Sequence, residues 1–170
     1  MLKQLIAKLD LKKIDLRRVL LYFLYLFLTL VLQNMVLTHI RPLGVCPFIL
    51  PAAVVAVGMF EGAAGGAVFA LLMGIYADMF FVEMTVGYTL LFPALAFAAG
   101  FVSQFFINRR FFGYMAAAAG ALLITGLMQI VWVVLRDSWS MVLLKNALLQ
   151  TLWSLPLAAL LYFPPARWID

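Results

Sequence analysis

Apolar residues fill long blocks of this chain, and only short polar segments separate them. A block of about 20 apolar residues is long enough to cross the hydrocarbon core of a membrane as a helix. The blocks predict six spans, over 19–38, 45–60, 63–81, 88–107, 111–135 and 141–163. The pattern therefore predicts an all-α, polytopic membrane protein with a single transmembrane domain over 19–170.

The boundary between the second and third predicted spans rests on length. The apolar stretch 47–81 would be more than about 50 Å long as one helix, whereas the hydrocarbon core is only about 30 Å thick. Glu61 and Gly62 interrupt this stretch near its middle. We therefore expect two helices joined by a tight turn at these two residues.

Small residues recur at every fourth position on both sides of that turn: Gly58, Gly62, Gly66, Ala70 and Gly74. In lipid, small residues at this spacing let neighbouring helices approach closely. A glycine costs a helix about 1 kcal/mol relative to alanine, so the series needs a packing reason. We expect a helix-packing groove in which Gly66 contacts the bundle and Gly74 faces a partner helix. The alternative is that the series only reflects the composition of membrane helices.

Composition agrees with a membrane protein. Hydrophobic residues make up 67% of the chain and charged residues 11%, far below the roughly 25% of soluble domains. The basic residues lie at segment ends, so the net charge of +5 does not indicate nucleic-acid binding. The single cysteine, Cys46, excludes an intrachain disulfide and a cysteine-based metal cluster. We expect no cofactor and no metal site.

The distribution of basic residues predicts the orientation. Residues 1–18 hold six of the 12 lysines and arginines and read as a basic amphipathic segment on the cytoplasmic leaflet. With six spans and both termini in the cytoplasm, nine basic residues lie inside and three outside, as the positive-inside rule requires. The three outside are Arg41, Arg136 and Lys145.

This topology gathers the polar residues of the spans in the outer leaflet: Gln33, Asn34, Asp78, Gln129, Lys145, Asn146 and Gln150. An ionisable side chain inside an apolar span is costly and indicates a specific partner or a site. We expect Asp78 to face the bundle and to pair with a basic or amide side chain, the candidates being Lys145, Arg136, Asn146 and Gln33. The cluster is either a set of structural hydrogen bonds or a site for a ligand, lipid or partner helix.

Catalytic motifs are not evident. The only histidine, His39, is predicted at one membrane edge, and Ser103 near the opposite face, so the two cannot form a catalytic dyad. The sequence contains no nucleophile-elbow motif. We therefore expect a protein that is not an enzyme.

The stretch from Pro47 to Gly113 resembles the rod shape-determining protein D family, MreD. The specific parts are a proline-led short helix, an acidic-glycine turn, a glycine-rich helix ending in Gly-x-x-x-Asp, and a Val-Gly loop at Val86-Gly87. The residues that carry the resemblance are Pro47, Gly58, Gly62, Gly66, Gly74 and Asp78. The basic N-terminus and the polar start of the last span depart from the family pattern.

The resemblance implies a six-helix component of the bacterial cell-elongation machinery in the plasma (inner) membrane. Its expected partner is the bitopic protein MreC and, indirectly, MreB, the glycosyltransferase RodA and a class B penicillin-binding protein. The implied fold is similar to the substrate-binding (S) subunits of energy-coupling-factor transporters, and no enzymatic activity is implied. The alternative function is that of such a vitamin-binding subunit, with the outer polar cluster as its pocket.

Overall fold

The computed structural model describes residues 16–40, 44–80, 87–105, 111–136 and 140–169. These residues are helical with short connections and contain no strand. There are five helices among them: α1 (Leu16–Val31), which continues as a π-helix over Leu32–Leu37, α2 (Leu50–Phe80), α3 (Gly87–Phe105), α4 (Phe111–Arg136) and α5 (Met141–Ile169). The predicted basic segment lies, up to residue 15, outside the described residues.

Helix α2 reverses direction at Gly62. This residue has φ 87° and ψ 177°, a conformation that glycine adopts without steric cost. A Cβ atom added to Gly66 would lie 2.5 Å from Cα of Gly58, although positions eight apart on a straight helix are about 12 Å apart. The predicted turn at Glu61-Gly62 is therefore confirmed, and α2 is a hairpin with arms over 50–61 and 63–80.

From Gly62, the second arm runs back alongside the first. Gln33 of α1 bonds the backbone at the start of the first arm. The adjacent Asn34 donates to the hydroxyl of Tyr76, near the end of the second arm. The start and the end of the hairpin therefore lie together at one end of the molecule, opposite Gly62.

The first arm is the centre of the bundle. Every residue from Leu50 to Phe60 is buried, as expected of a helix that is apolar on all sides. Two other helices bond to its backbone, and a third bonds to the residue two positions before it. Ser103 of α3 donates to the carbonyl of Met59, and Tyr114 of α4 donates to that of Ala52. Ser154 of α5 accepts from the N–H of Phe48, just before the arm.

The small residues bring backbones together within this chain. A Cβ on Gly58 would lie 2.5 Å from the carbonyl oxygen of Ala96 in α3, and one on Gly74 would lie 2.6 Å from that of Tyr88. Ala70 is fully buried. The residues contact different neighbours on the two arms, so they do not form one continuous groove. The expectation that Gly74 faces a partner helix is wrong, because this residue packs on the first turn of α3.

Two predicted helix boundaries are also wrong. The second span was expected from residue 45, but its helix begins at Leu50 because the N–H groups of Phe48 and Ile49 bond to side chains instead. The last span was expected to end at residue 163, before Pro164-Pro165. Helix α5 continues through both prolines to Ile169.

A hydrogen bond from α1 compensates for the second of these prolines. Pro165 has no N–H, so the carbonyl of Leu161 loses its helical partner. The hydroxyl of Tyr25, which is buried in α1, donates to that carbonyl at 3.0 Å. A neighbouring helix thus satisfies the carbonyl that Pro165 leaves without a helical partner, and α5 continues to Ile169.

The outer faces of the helices are apolar. Among the described residues, large hydrophobic side chains are exposed on every helix, for example Phe27, Val68, Leu90, Leu127 and Leu152. Four helices are long and apolar enough to cross a membrane, over 19–37, 50–80, 111–136 and 141–165, and α3 contributes a shorter apolar segment over 87–103. Length, composition and the exposed apolar surface thus agree with a membrane protein.

Bulk at the hairpin contacts should prevent folding. We expect Gly66→Leu and Gly74→Leu to reduce the amount of protein in the membrane, because backbone atoms occupy the space that the new side chains need. Overpacking costs about 1–3 kcal/mol even where side chains can adjust. Immunoblots of membrane fractions and the melting temperature in detergent measure the effect.

Val68→Leu is the matched control, because Val68 lies on the same arm with 65% of its surface exposed. It should leave abundance and melting temperature unchanged. Normal abundance and stability of both glycine variants would contradict the packing role.

Candidate functional site

The candidate site lies at the end of the bundle where the α2 hairpin starts and finishes. We call this region the polar end. The ring of Phe48 packs on Tyr88 of α3 at a centroid distance of 5.6 Å. Asp78 bonds to the backbone of Tyr88, and Gln129 of α4 bonds to its hydroxyl. Contacts thus connect residues of α2, α3 and α4 in one region.

Gln33 caps the central arm from α1. It is fully buried and lies in the π-helical turn Leu32–Leu37. Its Nε2 donates to the carbonyl of Pro47 at 3.0 Å, and its Oε1 accepts from the N–H of Ile49 at 2.9 Å. Pro51, four residues after Pro47, has no N–H to offer that carbonyl. One carboxamide therefore satisfies a donor and an acceptor at the start of a buried helix.

Ser154 adds the second cap from α5. Its Oγ accepts from the N–H of Phe48 at 2.9 Å and donates to the carbonyl of Gln150 at 2.6 Å. Both Ser154 and Phe48 are buried. The first N–H groups of a helix have no partner within it, and an unsatisfied buried N–H is costly. Gln33 and Ser154 remove this cost for the N–H groups of Ile49 and Phe48, which directly precede the helix.

Asp78 caps α3 from the end of the second hairpin arm. Its carboxylate accepts from the N–H of Tyr88 at 3.0 Å and from that of Thr89 at 2.8 Å, and the Thr89 hydroxyl also donates to it. Both N–H groups belong to the first turn of α3, which begins at Gly87. A negative charge is favourable there because the helix dipole is positive at its N-terminus.

The expected partners of Asp78 are therefore wrong. Within the described part of the chain, the carboxylate bonds to helix N–H groups and a hydroxyl instead of a basic or amide side chain. Lys145 is exposed on α5 beside Leu148 and Leu152. The guanidinium of Arg136 lies over the ring of Trp132 at 5.4 Å.

Two further carboxamides of the expected cluster bond to tyrosine hydroxyls. Asn34 donates to Tyr76. Gln129 donates to Tyr88 at 2.7 Å, and the Tyr88 ring is fully buried. These bonds connect α1 to α2 and α4 to α3 at the polar end.

Asn146 and Gln150 line a cavity of about 250 Å³ with Gln129. The cavity lies between α4, α5 and the connection over 44–46. Six of the seven residues in the expected cluster therefore do lie at the polar end, divided between helix caps, tyrosine contacts and this cavity. Lys145 points into a separate, apolar groove on the exposed face of α5.

Comparisons with protein-family models, with curated proteins and with solved structures all find nothing similar.

The residues considered for catalysis lie far apart along the bundle. His39 is exposed two residues after the π-helix that carries Gln33. The Ser103 hydroxyl donates to the carbonyls of Met59 and Gly100, near the hairpin turn. Within the described residues, no three His, Cys, Asp or Glu side chains lie close enough to hold a metal ion.

Sequence reasoning missed Tyr76, Tyr88 and Thr89. A signal was present for Thr89, because an acidic residue at the end of one helix was followed after a short connection by the start of the next. For the tyrosines no such signal exists. Their hydroxyls are recognised as partners only when the helices are placed side by side.

Loss of the Asp78 cap should destabilise the fold. We expect Asp78→Leu to lower the free energy of unfolding by about 1.5–3 kcal/mol, the range for a hydrogen bond to a charged group. Asp78→Asn should cost less because it keeps one acceptor oxygen. Unfolding by sodium dodecyl sulfate in mixed micelles, followed by circular dichroism, measures both changes.

Glu61→Gln is the control for removing a carboxylate, because Glu61 is exposed at the hairpin turn. Its stability should equal that of the unmodified protein. If Asp78→Leu is as stable as this control, the carboxylate does not support α3.

Proposed function

We propose that this protein is a non-enzymatic, multi-pass component of the bacterial cell-elongation complex. In this function it lies in the plasma (inner) membrane and scaffolds an MreC-like bitopic protein. Through that partner it is connected to MreB, RodA and a class B penicillin-binding protein, and so contributes to cell shape.

The observation that carries the proposal is how the chain uses the residues of the MreD-like pattern. Gly62 forms the hairpin turn, and the backbones of Gly58 and Gly66 lie in close contact beside it. Gly74 and Asp78 hold the first turn of α3 by backbone approach and by hydrogen bonds. The pattern therefore corresponds to one structural feature, the α2 hairpin joined to α3, which supports reading it as a family trait.

The distribution of polar contacts also favours a scaffold. The side chains of Gln33, Asp78 and Ser154 bond to backbone groups of neighbouring helices. Such bonds fix the helices relative to one another. The exposed surface of α1 is apolar, with Phe23 and Phe27 both more than half exposed, so it is compatible with contact to lipid or to a partner's membrane helix.

The proposed topology has six spans with both termini in the cytoplasm. They are α1 with its π-helix, the two arms of α2, and α3 to α5. The first arm, over 50–61, is only about 18 Å long, so it would start below the surface of the membrane. Non-helical backbone is tolerated at such depth only where protein covers it, and Pro47, Phe48 and Ile49 are all buried.

Reporter fusions test this topology. A fluorescent protein, which is active in the cytoplasm, should report inside when fused at Asp170. Alkaline phosphatase, which is active only outside, should report outside when fused after Asp137. Each site should be silent with the other reporter, which serves as its control. An outside C-terminus would contradict the six-span arrangement.

Copurification tests the proposed partner. The full chain with a C-terminal tag should retain an MreC-like protein through detergent extraction, and depletion of the chain should round rod-shaped cells. The physical reason is that membrane helices associate by close van der Waals packing and interhelical hydrogen bonds.

The control bait is an unrelated six-span membrane protein expressed at the same level. Retention of a pair of ATPase subunits in place of cell-wall proteins would contradict the scaffold function and would support the transport function. Retention of neither set, with normal cell shape on depletion, would contradict the proposal.

A further inference from the structure

An apolar groove on the exposed face of α5 contains one charged side chain, that of Lys145. The volume of the groove is about 460 Å³, and we call it the leucine groove. The residues that line it recur at every third or fourth position, as residues on one face of a helix do. They are Met141, Leu144, Lys145, Leu148, Leu149 and Leu152.

Lys145 lies near one edge of the membrane. The apolar part of α5, Met141–Pro165, has 25 residues and is therefore about 37 Å long, whereas the hydrocarbon core is about 30 Å thick. The first turn of α5 thus lies at the membrane surface. Side chains on a helix lean towards its N-terminus, so the ammonium group of Lys145 extends towards that surface, as lysines near the ends of membrane helices do.

Contacts within the protein do not explain this lysine. Among the described residues, Lys145 makes no hydrogen bond and no ion pair, and its side chain is exposed. It does not stabilise the helix dipole either, because the dipole favours basic residues at the C-terminal end of a helix. A charged side chain on an apolar, lipid-facing surface is costly unless a partner or the head-group region receives its charge. An anion at the end of the groove would be such a partner.

The groove has about the length of an acyl chain in one leaflet. From Met141 to Leu152 the helix rises by about 16 Å, and one leaflet of the hydrocarbon core is about 15 Å thick. Apolar side chains continue from Lys145 towards the middle of the membrane. A cation at the membrane surface above an apolar groove is complementary to a phosphate above an acyl chain.

We propose that the leucine groove binds an anionic phospholipid. One acyl chain lies along the leucines, and the phosphate lies against the ammonium group of Lys145. In a zwitterionic lipid the head group's own ammonium competes with the lysine for the phosphate, so a lipid of net negative charge is favoured. The inference rests on α5 crossing the membrane and does not depend on the scaffold function.

An acidic side chain on a partner's membrane helix has the same charge as a phosphate. The depth of Lys145 favours the lipid, because phospholipid phosphates lie at the membrane surface in every bilayer. Acidic side chains within membrane spans are rare and face the interior of a bundle in most proteins, whereas Lys145 lies on an outer face.

Native mass spectrometry of the purified full chain in detergent tests the proposal. The probes are phosphatidylglycerol and phosphatidylcholine with identical acyl chains, and the Kd of the first bound lipid is measured for each. We expect phosphatidylglycerol to bind about fivefold more tightly, the ratio that corresponds to one lysine near an anionic head group. Equal Kd values for the two lipids would overturn the proposal.

Lys145→Met keeps an unbranched side chain and removes the charge. It should weaken the binding of phosphatidylglycerol about fivefold and leave the binding of phosphatidylcholine unchanged. Lys145→Arg should retain the preference. Arg167→Gln is the matched control, because it removes an exposed basic residue from the last turn of the same helix, and it should also retain the preference. Circular dichroism checks that each variant is folded.

Two further measurements test the competing explanations. Glycerophosphoglycerol, the head group without acyl chains, should not displace the lipid at equal concentration, and displacement would contradict a site that binds the chain. Asp137→Asn removes the acidic residue that is nearest to Lys145 in the sequence, and the preference should persist in it. Unchanged lipid binding in Lys145→Met, together with loss of a copurifying protein, would assign the lysine to a partner helix and overturn the proposal.

Discussion

The contact of bare backbones beside Gly62 is the constraint on which the rest of the fold depends. Gly58 touches Gly66 in the other hairpin arm and Ala96 in α3, and Gly100 of α3 approaches Ala63. Three helical segments thus meet without a side chain between them. In lipid, helices gain little from hydrophobic burial, so close packing must supply the attraction. A chain without these glycines would have to separate the arms, and the central arm would lose its cover.

The hairpin creates a second requirement at its opposite end. A central arm that turns back at Gly62 begins inside the protein, where its first N–H groups have no water to bond. Gln33 and Ser154 meet this requirement from two other helices, and Asp78 does the same for α3. The polar residues of the spans are therefore largely a consequence of where the helices begin. Their concentration at one end follows because both capped helices begin at that end.

The sequence was sufficient for the helical class, the turn at Gly62 and the grouping of most polar residues, because each depends on local composition or on spacing. The hydrogen-bond partners of Asp78 could not be predicted from the sequence. An electrostatic argument favours a basic side chain, but a helix N-terminus offers the same positive potential and is invisible in composition. The predicted end of the last helix, at residue 163, was wrong for a similar reason. Pro165 predicts a break, and only the three-dimensional structure brings the Tyr25 hydroxyl to the carbonyl of Leu161.

The polar side chains at this end fall into two groups, those that bond to the backbone of a helix and those that do not. Side chains that cap helices, such as Gln33, have used the atoms that face the backbone, and a ligand could engage them only by uncapping a helix. Among the described residues, Asn146 and Gln150 have no such role, and Asn146 is exposed. The structural role of the polar end therefore rests on Gln33, Asp78 and Ser154 and not on every polar side chain that lies there. Gln129 lies between the two groups, since it bonds to the hydroxyl of Tyr88 and lines the cavity with Asn146 and Gln150.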